Sequence, residues 1–119
     1  INLKDLRTVA QELVALSTQA RNKQLSAAQM QGGCFSISSL GNVGLSGFFT
    51  PIINAPEVAI LGVSKAQYKP VYQANGALAA RMMLPLSVSY DHRVIDGAEA
   101  ARFMSYLAEL LGDVRHMLL

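Results

Sequence analysis

The stretch LSVSYDHRVIDGAEAARF, residues 86–103, contains the signals for two secondary-structure elements and for the turn between them. Alternating side chains up to Tyr90 are typical of a β-strand, whereas the residues after Asp96 have the spacing of an amphipathic helix. Asp96 is a natural N-cap, because its carboxylate can accept hydrogen bonds from the first amides of a helix. The stretch therefore predicts a strand, a short turn that carries His92, and a helix.

The rest of the chain adds a second helix and further strands. Residues 3–23 have apolar side chains at three- and four-residue spacing, which predicts a helix, and Ser26 opens a capping box for one short turn. Glycines and serines after residue 39 predict a loop. Strands are predicted for CFSIS (34–38), EVAILGVSKAQ (57–67) and ARMMLPLSVSY (80–90).

Two local signals refine the strand pattern. Asn75-Gly76 favours a hairpin turn, and Pro85 inside the last predicted strand indicates an edge or a bulge. The C-terminal helix is predicted to have an apolar face made of Ala98, Ala101, Phe103, Leu107, Leu110 and Leu111. The order of elements predicts an α+β (mixed α/β) fold with an open, thin sheet.

Composition limits the class of protein. The 119 residues suffice for one domain or a piece of one, and 51% of them are hydrophobic. That proportion predicts surface that is covered by a missing portion or by partner subunits. Ten basic and eight acidic side chains give a net charge of only +2. Because no basic stripe interleaved with aromatic residues is present, the sequence argues against a nucleic-acid-binding protein.

Cysteine content and hydropathy exclude further classes. Cys34 is the only cysteine, so the sequence holds neither a disulfide framework nor a cysteine-rich metal site, and a reducing compartment fits. We expect its thiol to be an inert part of the core. The apolar runs are far shorter than a bilayer span, so no membrane association is predicted. The first residues lack a signal-peptide pattern, and a start without Met is typical of a truncated or cleaved chain.

His92 has the clearest chemical potential in the sequence. An imidazole with a pKa of about 6.5 can take a proton at neutral pH, so His92 is a candidate general base. The alternative is a histidine that is buried at the strand end and bonded to backbone, and spacing alone does not decide between the two. Asp96 could orient the imidazole or simply cap the helix.

Other chemistries have less support. Ser38 and Ser39, at the end of the first predicted strand, are candidate hydroxyl donors, although loop serines often bond their own backbone. No G-x-S-x-G elbow is present, and His92 and Asp96 are tied four residues apart, which argues against a Ser-His-Asp hydrolase. No second histidine or cysteine has ligand spacing to His92, so no metal site is predicted.

Three motifs together resemble one protein family. They are GGCFSISSLG (32–41), TPIINAPEVAILGVSK (50–65) and LPLSVSYDHRVIDGAEAARF (84–103). Over essentially its whole length the chain resembles the C-terminal half of the catalytic domain of dihydrolipoyl acyltransferases, the core components of 2-oxo-acid dehydrogenase complexes. The D-H-R-x-x-D-G motif is highly specific, and the likeness is greatest to acetyltransferases of bacterial pyruvate complexes. The resemblance implies a chloramphenicol acetyltransferase-like fold, with helices on one side of an open mixed sheet.

The resemblance implies an acetyltransferase and a role for each candidate residue. An acetyl group would pass from a dihydrolipoyl thioester to the thiol of coenzyme A, without a covalent acyl-enzyme. His92 matches the general base that removes the thiol proton, and Ser38 matches the serine that stabilises the oxyanion. Asp96 matches an aspartate that holds the site through polar contacts. Ser39 is the adjacent alternative to Ser38.

The resemblance also implies an assembly and a location. The family forms trimers that join into a cage, and each active site takes its histidine and its serine from neighbouring chains. The segment HMLL (116–119) fits the role of docking into a neighbouring trimer. Residues 1–119 match only the C-terminal half of a catalytic domain, so its first half and the lipoyl and subunit-binding domains are expected outside this chain.

Those further domains would carry the lipoyl group and bind the decarboxylase and dihydrolipoamide dehydrogenase components. Bacterial cytoplasm is the expected location, with the mitochondrial matrix as the alternative. A second interpretation comes from the same incompleteness: the 119-residue chain by itself could be a catalytically silent oligomeric assembly module.

Overall fold

The computed structural model describes residues 3–44 and 46–117, and the chain divides into two compact units. The first unit extends to Gly33 and contains helix α1 (Leu6–Arg21) and a short 3-10 turn (Ala27–Met30). Asp5 caps α1 by accepting a 2.8 Å hydrogen bond from the Thr8 amide. The capping box predicted from Ser26 is also confirmed.

The second unit begins at Cys34 and contains a three-stranded mixed sheet. The middle strand β2 (Ala59–Val63) pairs in parallel with β1 (Ser36–Ser39) and antiparallel with β5 (Leu86–Tyr90). Strands β3 (Gln67–Tyr72) and β4 (Leu78–Met83) form a separate antiparallel hairpin. Helix α2 (Gly97–Gly112) follows β5 and packs against it, and a 3-10 turn (Val114–Met117) follows α2.

The predicted strands differ from the observed ones in how they divide. The sequence predicts one strand over residues 80–90, but the structure has two strands there, β4 and β5, which belong to different sheets. Pro85 lies at the break, because a residue without an N–H cannot continue the ladder; its carbonyl accepts a bond from the Ser64 amide at 3.2 Å. The stretch 57–67 likewise ends as β2 at Val63, and β3 is a new strand. The predicted Asn75-Gly76 turn joins β3 to β4, with Gly76 at a φ of +79°.

The sheet of the second unit has an apolar face and a serine-rich face. The register places Leu61 beside Val88 on one face, and Ser38, Gly62 and Ser87 in one row on the other. Helix α2 turns a half-buried stripe inward, made of Ala100, Met104, Leu107 and Leu110. The predicted apolar face is wrong at Ala98 and Ala101: both are exposed, because at 3.6 residues per turn they lie off this stripe.

The expectation for Cys34 is also wrong. The residue precedes β1 and its side chain is exposed. It borders a cavity of about 340 Å³ between the apolar face of the sheet and α2, where the rings of Phe35 and Phe103 lie 6.0 Å apart. The mixed α+β class itself is confirmed. No helix among the described residues is both long and apolar enough to cross a membrane.

Candidate active site

His92 lies in a turn between β5 and α2 that is held by backbone hydrogen bonds. The Asp91 amide donates to the Val58 carbonyl at 2.8 Å, which extends the β2–β5 ladder by one step. The Asp91 carbonyl in turn accepts from the amides of Val94 and Ile95, both at 3.0 Å. The backbone on both sides of His92 is therefore fixed, while its side chain is exposed.

An ion pair closes around the same turn. The Arg93 Nε atom lies 2.9 Å from Asp91 Oδ1, and Arg93 Nη2 lies 2.6 Å from Asp91 Oδ2. Hydrogen bonds from the Arg93 side chain, and then from its backbone amide, lower the pKa of the Asp91 carboxyl to about 2. Asp91 therefore stays ionised at neutral pH, and its charge is balanced by the residue on the other side of His92.

The His92 side chain borders a cavity large enough for a ligand. The cavity has a volume of about 610 Å³ and lies between the turn and the segment that enters β2. The Tyr90 ring stands 5.5 Å from the imidazole, at an interplanar angle of 41°. The structure therefore favours an accessible imidazole over the alternative of a histidine buried at the strand end.

Asp96 caps α2, as its sequence position predicted. Its Oδ1 atom accepts a 2.8 Å hydrogen bond from the Glu99 amide. The side chain is exposed, and within the described residues its hydrogen bond runs to the helix rather than to His92. Asp96 thus fixes where the helix begins, and with it the end of the turn that carries His92.

Ser38 lies in β1 in a crowded row of the sheet. It pairs with Gly62, which pairs with Ser87 on the other side. A Cβ atom on Gly62 would stand 2.6 Å from Ser87 Oγ and 3.0 Å from the Phe49 ring. The Ser87 hydroxyl is itself held, because it donates to the Phe49 carbonyl at 2.5 Å. Ser38 is half-buried beside this packing, whereas Ser39 is exposed and points to the opposite face.

One chain does not bring Ser38 and His92 together. Ser38 shares a row with Gly62, whereas Tyr90 shares a row with Ala59, three residues away along β2. With about 3.3 Å per residue and about 4.8 Å between strands, the Cα atoms of Ser38 and Tyr90 are about 14 Å apart. His92 lies beyond Tyr90, in the direction away from Ser38.

Sequence reasoning missed one residue of the His92 cavity. Glu57 lines the cavity, and its Oε2 atom is buried without a hydrogen-bond partner among the described residues. An acidic residue directly after Pro56 and before an apolar run was the available signal. No group of three or more metal-binding side chains occurs within residues 3–44 and 46–117.

The whole chain, residues 1–119, matches the family model for the catalytic domain of 2-oxoacid dehydrogenase acyltransferases. The chain belongs to this acyltransferase family. It is 60% identical over 119 residues to the dihydrolipoyllysine-residue acetyltransferase component of the pyruvate dehydrogenase complex of Pseudomonas aeruginosa. That alignment covers 100% of this chain and 21% of the relative, so this acyltransferase chain spans about a fifth of that protein's length.

Two solved structures share the fold of this acyltransferase chain. One is the dihydrolipoamide acetyltransferase of Azotobacter vinelandii, with 56% identity and a TM-score of 0.92. The other is the cubic core of a pyruvate dehydrogenase multienzyme complex, with 58% identity and a TM-score of 0.91. Each match covers 98% of this chain and 47% of the solved chain. The predicted resemblance is confirmed, and this chain spans about half of each solved chain.

The Azotobacter vinelandii structure was determined to investigate a serine, a histidine and an asparagine in that enzyme's catalytic mechanism. Its asparagine follows the histidine by four residues. In this chain the fourth residue after His92 is an aspartate, Asp96. Asparagine and aspartate are equally good helix N-caps, because both offer a side-chain oxygen to the free amides.

Proposed function

We propose that the complete protein is a dihydrolipoyllysine-residue acetyltransferase in the core of a pyruvate dehydrogenase complex. It transfers an acetyl group between a dihydrolipoyl thioester and the thiol of coenzyme A. The observation that carries the proposal is the family match over residues 1–119, joined to an accessible His92 in a ligand-sized cavity.

His92 acts as the general base in this proposal. A thiol with a pKa of about 8.5 is only slightly ionised at neutral pH, so a nearby base raises its reactivity. The thiol proton of coenzyme A passes to the imidazole as the sulfur attacks the thioester carbonyl carbon. The tetrahedral intermediate then breaks its bond to the dihydrolipoyl sulfur, which takes the proton back from the imidazolium.

Ser38 stabilises the negative charge that develops on the carbonyl oxygen. Its hydroxyl donates a hydrogen bond to this oxyanion, and loss of one such donor commonly lowers the rate by about 10²–10³-fold. Asp96 keeps His92 in place through the N-cap of α2, for which its oxygen and not its charge is needed.

The active site forms between neighbouring chains of a homotrimer. The separation of Ser38 from His92 within one chain supports this proposal, because the two side chains of one chain are too far apart to contact the same thioester. The cubic core described for a relative supports assembly of such units into a cage. A heterologous interface of this kind joins unlike surfaces of identical chains, and it closes into a ring.

The proposed substrates and partners extend beyond this chain. The lipoyl group is carried by a domain outside residues 1–119, and further segments bind the decarboxylase and dihydrolipoamide dehydrogenase components. We place the protein in bacterial cytoplasm, and its 60% identity to a Pseudomonas aeruginosa enzyme supports that choice.

The test is acetyl transfer by the complete protein with and without His92→Ala. We expect turnover to fall by about 10²–10⁴-fold, the range that general base catalysis supplies. Light scattering must show the same oligomer for both proteins, so that the loss reports chemistry. Unchanged turnover in the variant would remove His92 from the role of base.

The 119-residue chain by itself is proposed to be silent in transfer and active only in assembly. Two observations favour this second function: the separation of Ser38 from His92, and large apolar side chains that are exposed, such as Ile37 and Ile52. Light scattering and an acetyl-transfer assay on the same sample test it. A monomer with measurable turnover would contradict it.

A further inference from the structure

Glu57 and His92 lie just beyond the end of the β2–β5 ladder, one on each strand's side. The regular pairing ends at Ala59 with Tyr90, and the bond from the Asp91 amide to the Val58 carbonyl adds one more step. Glu57 directly precedes Val58 and His92 directly follows Asp91, so both residues adjoin this last step. Both residues line the cavity of about 610 Å³.

The Glu57 carboxylate lacks a hydrogen-bond donor for one of its oxygens. Its Oε2 atom is buried and has no hydrogen-bond partner among residues 3–44 and 46–117. The nearest guanidinium of the turn is already engaged, because Arg93 binds both carboxylate oxygens of Asp91. A buried acceptor without a donor is costly, and a charged one more so. The missing donor therefore comes from outside the described residues.

The chemistry of the cavity selects the kind of donor. The Asp91–Arg93 pair is neutral as a whole, and Glu57 is the other acidic residue that lines the cavity. A carboxyl oxygen accepts a hydrogen bond from an N–H group, whereas a phosphate group offers only further acceptor oxygens. The remaining lining includes the apolar side chains of Ile53, Pro56 and Val94, which suits an alkyl arm.

We propose that Glu57 is a substrate-binding residue whose carboxylate accepts a hydrogen bond from an amide N–H of the thiol substrate beside His92. The proposal rests on the proposed function, in which both thiols carry such an amide on an alkyl arm. Coenzyme A has it in the pantetheine arm, and dihydrolipoamide has it at the end of its chain. A cationic side chain from another chain or from the rest of the catalytic domain is the competing donor.

The first experiment measures KM and kcat of the complete oligomeric protein for each thiol, coenzyme A and dihydrolipoamide, with Glu57→Gln. The substitution keeps the size of the side chain and removes the charge that strengthens the bond. We expect KM for one thiol to rise about tenfold with little change in kcat, the pattern of lost uniform binding. The thiol that is affected identifies which arm Glu57 contacts.

Glu109→Gln is the matched control, because Glu109 is an exposed acid on α2, outside the cavity. It should leave both KM values unchanged. If both KM values are also unchanged in Glu57→Gln, or if only kcat falls, the proposal is wrong. Dissociation of the oligomer in Glu57→Gln would assign the donor to another polypeptide segment and also overturn it.

A second measurement uses the unaltered protein and does not depend on how the variant folds. Ester analogues replace the amide N–H of each thiol by oxygen. The ester of the contacted thiol should have a KM about tenfold higher than the amide, and this difference should shrink in Glu57→Gln. Equal KM values for ester and amide would refute the contact. Absence of acetyl transfer by the unaltered protein would instead refute the proposed function itself.

Discussion

His92 and Ser38 occupy opposite ends of one three-stranded sheet, and the structure holds them by different means. His92 stands in a turn fixed by backbone bonds, a helix cap and the Asp91–Arg93 pair, so its side chain is exposed and its backbone is not free. Ser38 is held by strand pairing in a row where Gly62 leaves no space for a larger residue. Local hydrogen bonds and a helix cap therefore position His92, whereas packing between strands positions Ser38.

We expect the largest effect on turnover when Ser38 and His92 are replaced, each in a separate chain. Ser38→Ala and His92→Ala should each lower turnover by at least about 10²-fold. If each site takes its two groups from two chains, mixed oligomers of the variants should recover up to about a quarter of the unaltered activity. Co-expression of two tagged chains followed by an assay measures this. If the mixed oligomers were as inactive as each variant alone, Ser38 and His92 of one active site would come from the same chain.

A second prediction tests the packing at the Ser38 end. Gly62→Ala would bring a methyl group to 2.6 Å from Ser87 Oγ. We expect the free energy of unfolding to fall by about 1–3 kcal/mol, with turnover lowered because Ser38 is the neighbour in the row. Gly112→Ala, where nothing lies within 4 Å of the added atom, is the control and should be neutral or stabilising. Denaturant unfolding measures both. If Gly62→Ala and Gly112→Ala were equally stable, the strands around Gly62 would have to accommodate the added methyl group.

A third prediction tests the helix cap at the His92 end. Asp96→Ala should lower stability by about 1 kcal/mol, whereas Asp96→Asn should change it little. Asp5→Ala is the matched control, because Asp5 caps α1 with the same 2.8 Å bond. Only the change at Asp96 should also lower turnover, since only that cap adjoins the turn. If Asp96→Asn lost as much turnover as Asp96→Ala, the charge rather than the cap would be needed.

The smallest effect concerns the ion pair around His92. The pKa of the Asp91 carboxyl is lowered from 3.8 to about 2, so the pair stabilises the fold above about pH 3.8, and this is lost as the pH falls through 2. Because the pair is exposed to solvent, its effect on stability is small. In NMR titration, Arg93→Gln should return the Asp91 midpoint toward 3.8.

Arg115→Gln provides the control for that titration. Arg115 forms the same kind of pair with Asp113, and its side-chain hydrogen bond lowers the pKa of that carboxyl. The substitution should raise the pKa of Asp113 and leave the Asp91 titration unchanged. An Asp91 midpoint that stays at about 2 in Arg93→Gln would show that the pair does not set it.

The caps, the turns and the family can all be read from the amino-acid sequence. The cap at Asp96, the capping box at Ser26 and the turn at Asn75-Gly76 involve residues two to four positions apart, so their chemistry can be read along the chain. The motifs around His92 and Ser38 identified the family for the same reason, since each is a contiguous stretch of residues.

The pairing of the strands follows from tertiary contacts that the sequence does not show. Pro85 was recognised as unusual, yet the sequence did not show that it separates β4 from β5, because each strand finds a different partner. The same pairing brings Glu57 and His92 to one end of the sheet and leaves Ser38 nearer the other end. Strand register depends on contacts between distant residues, and a shift of one residue would exchange the two faces. Caps and turns, by contrast, are settled within a few residues of backbone.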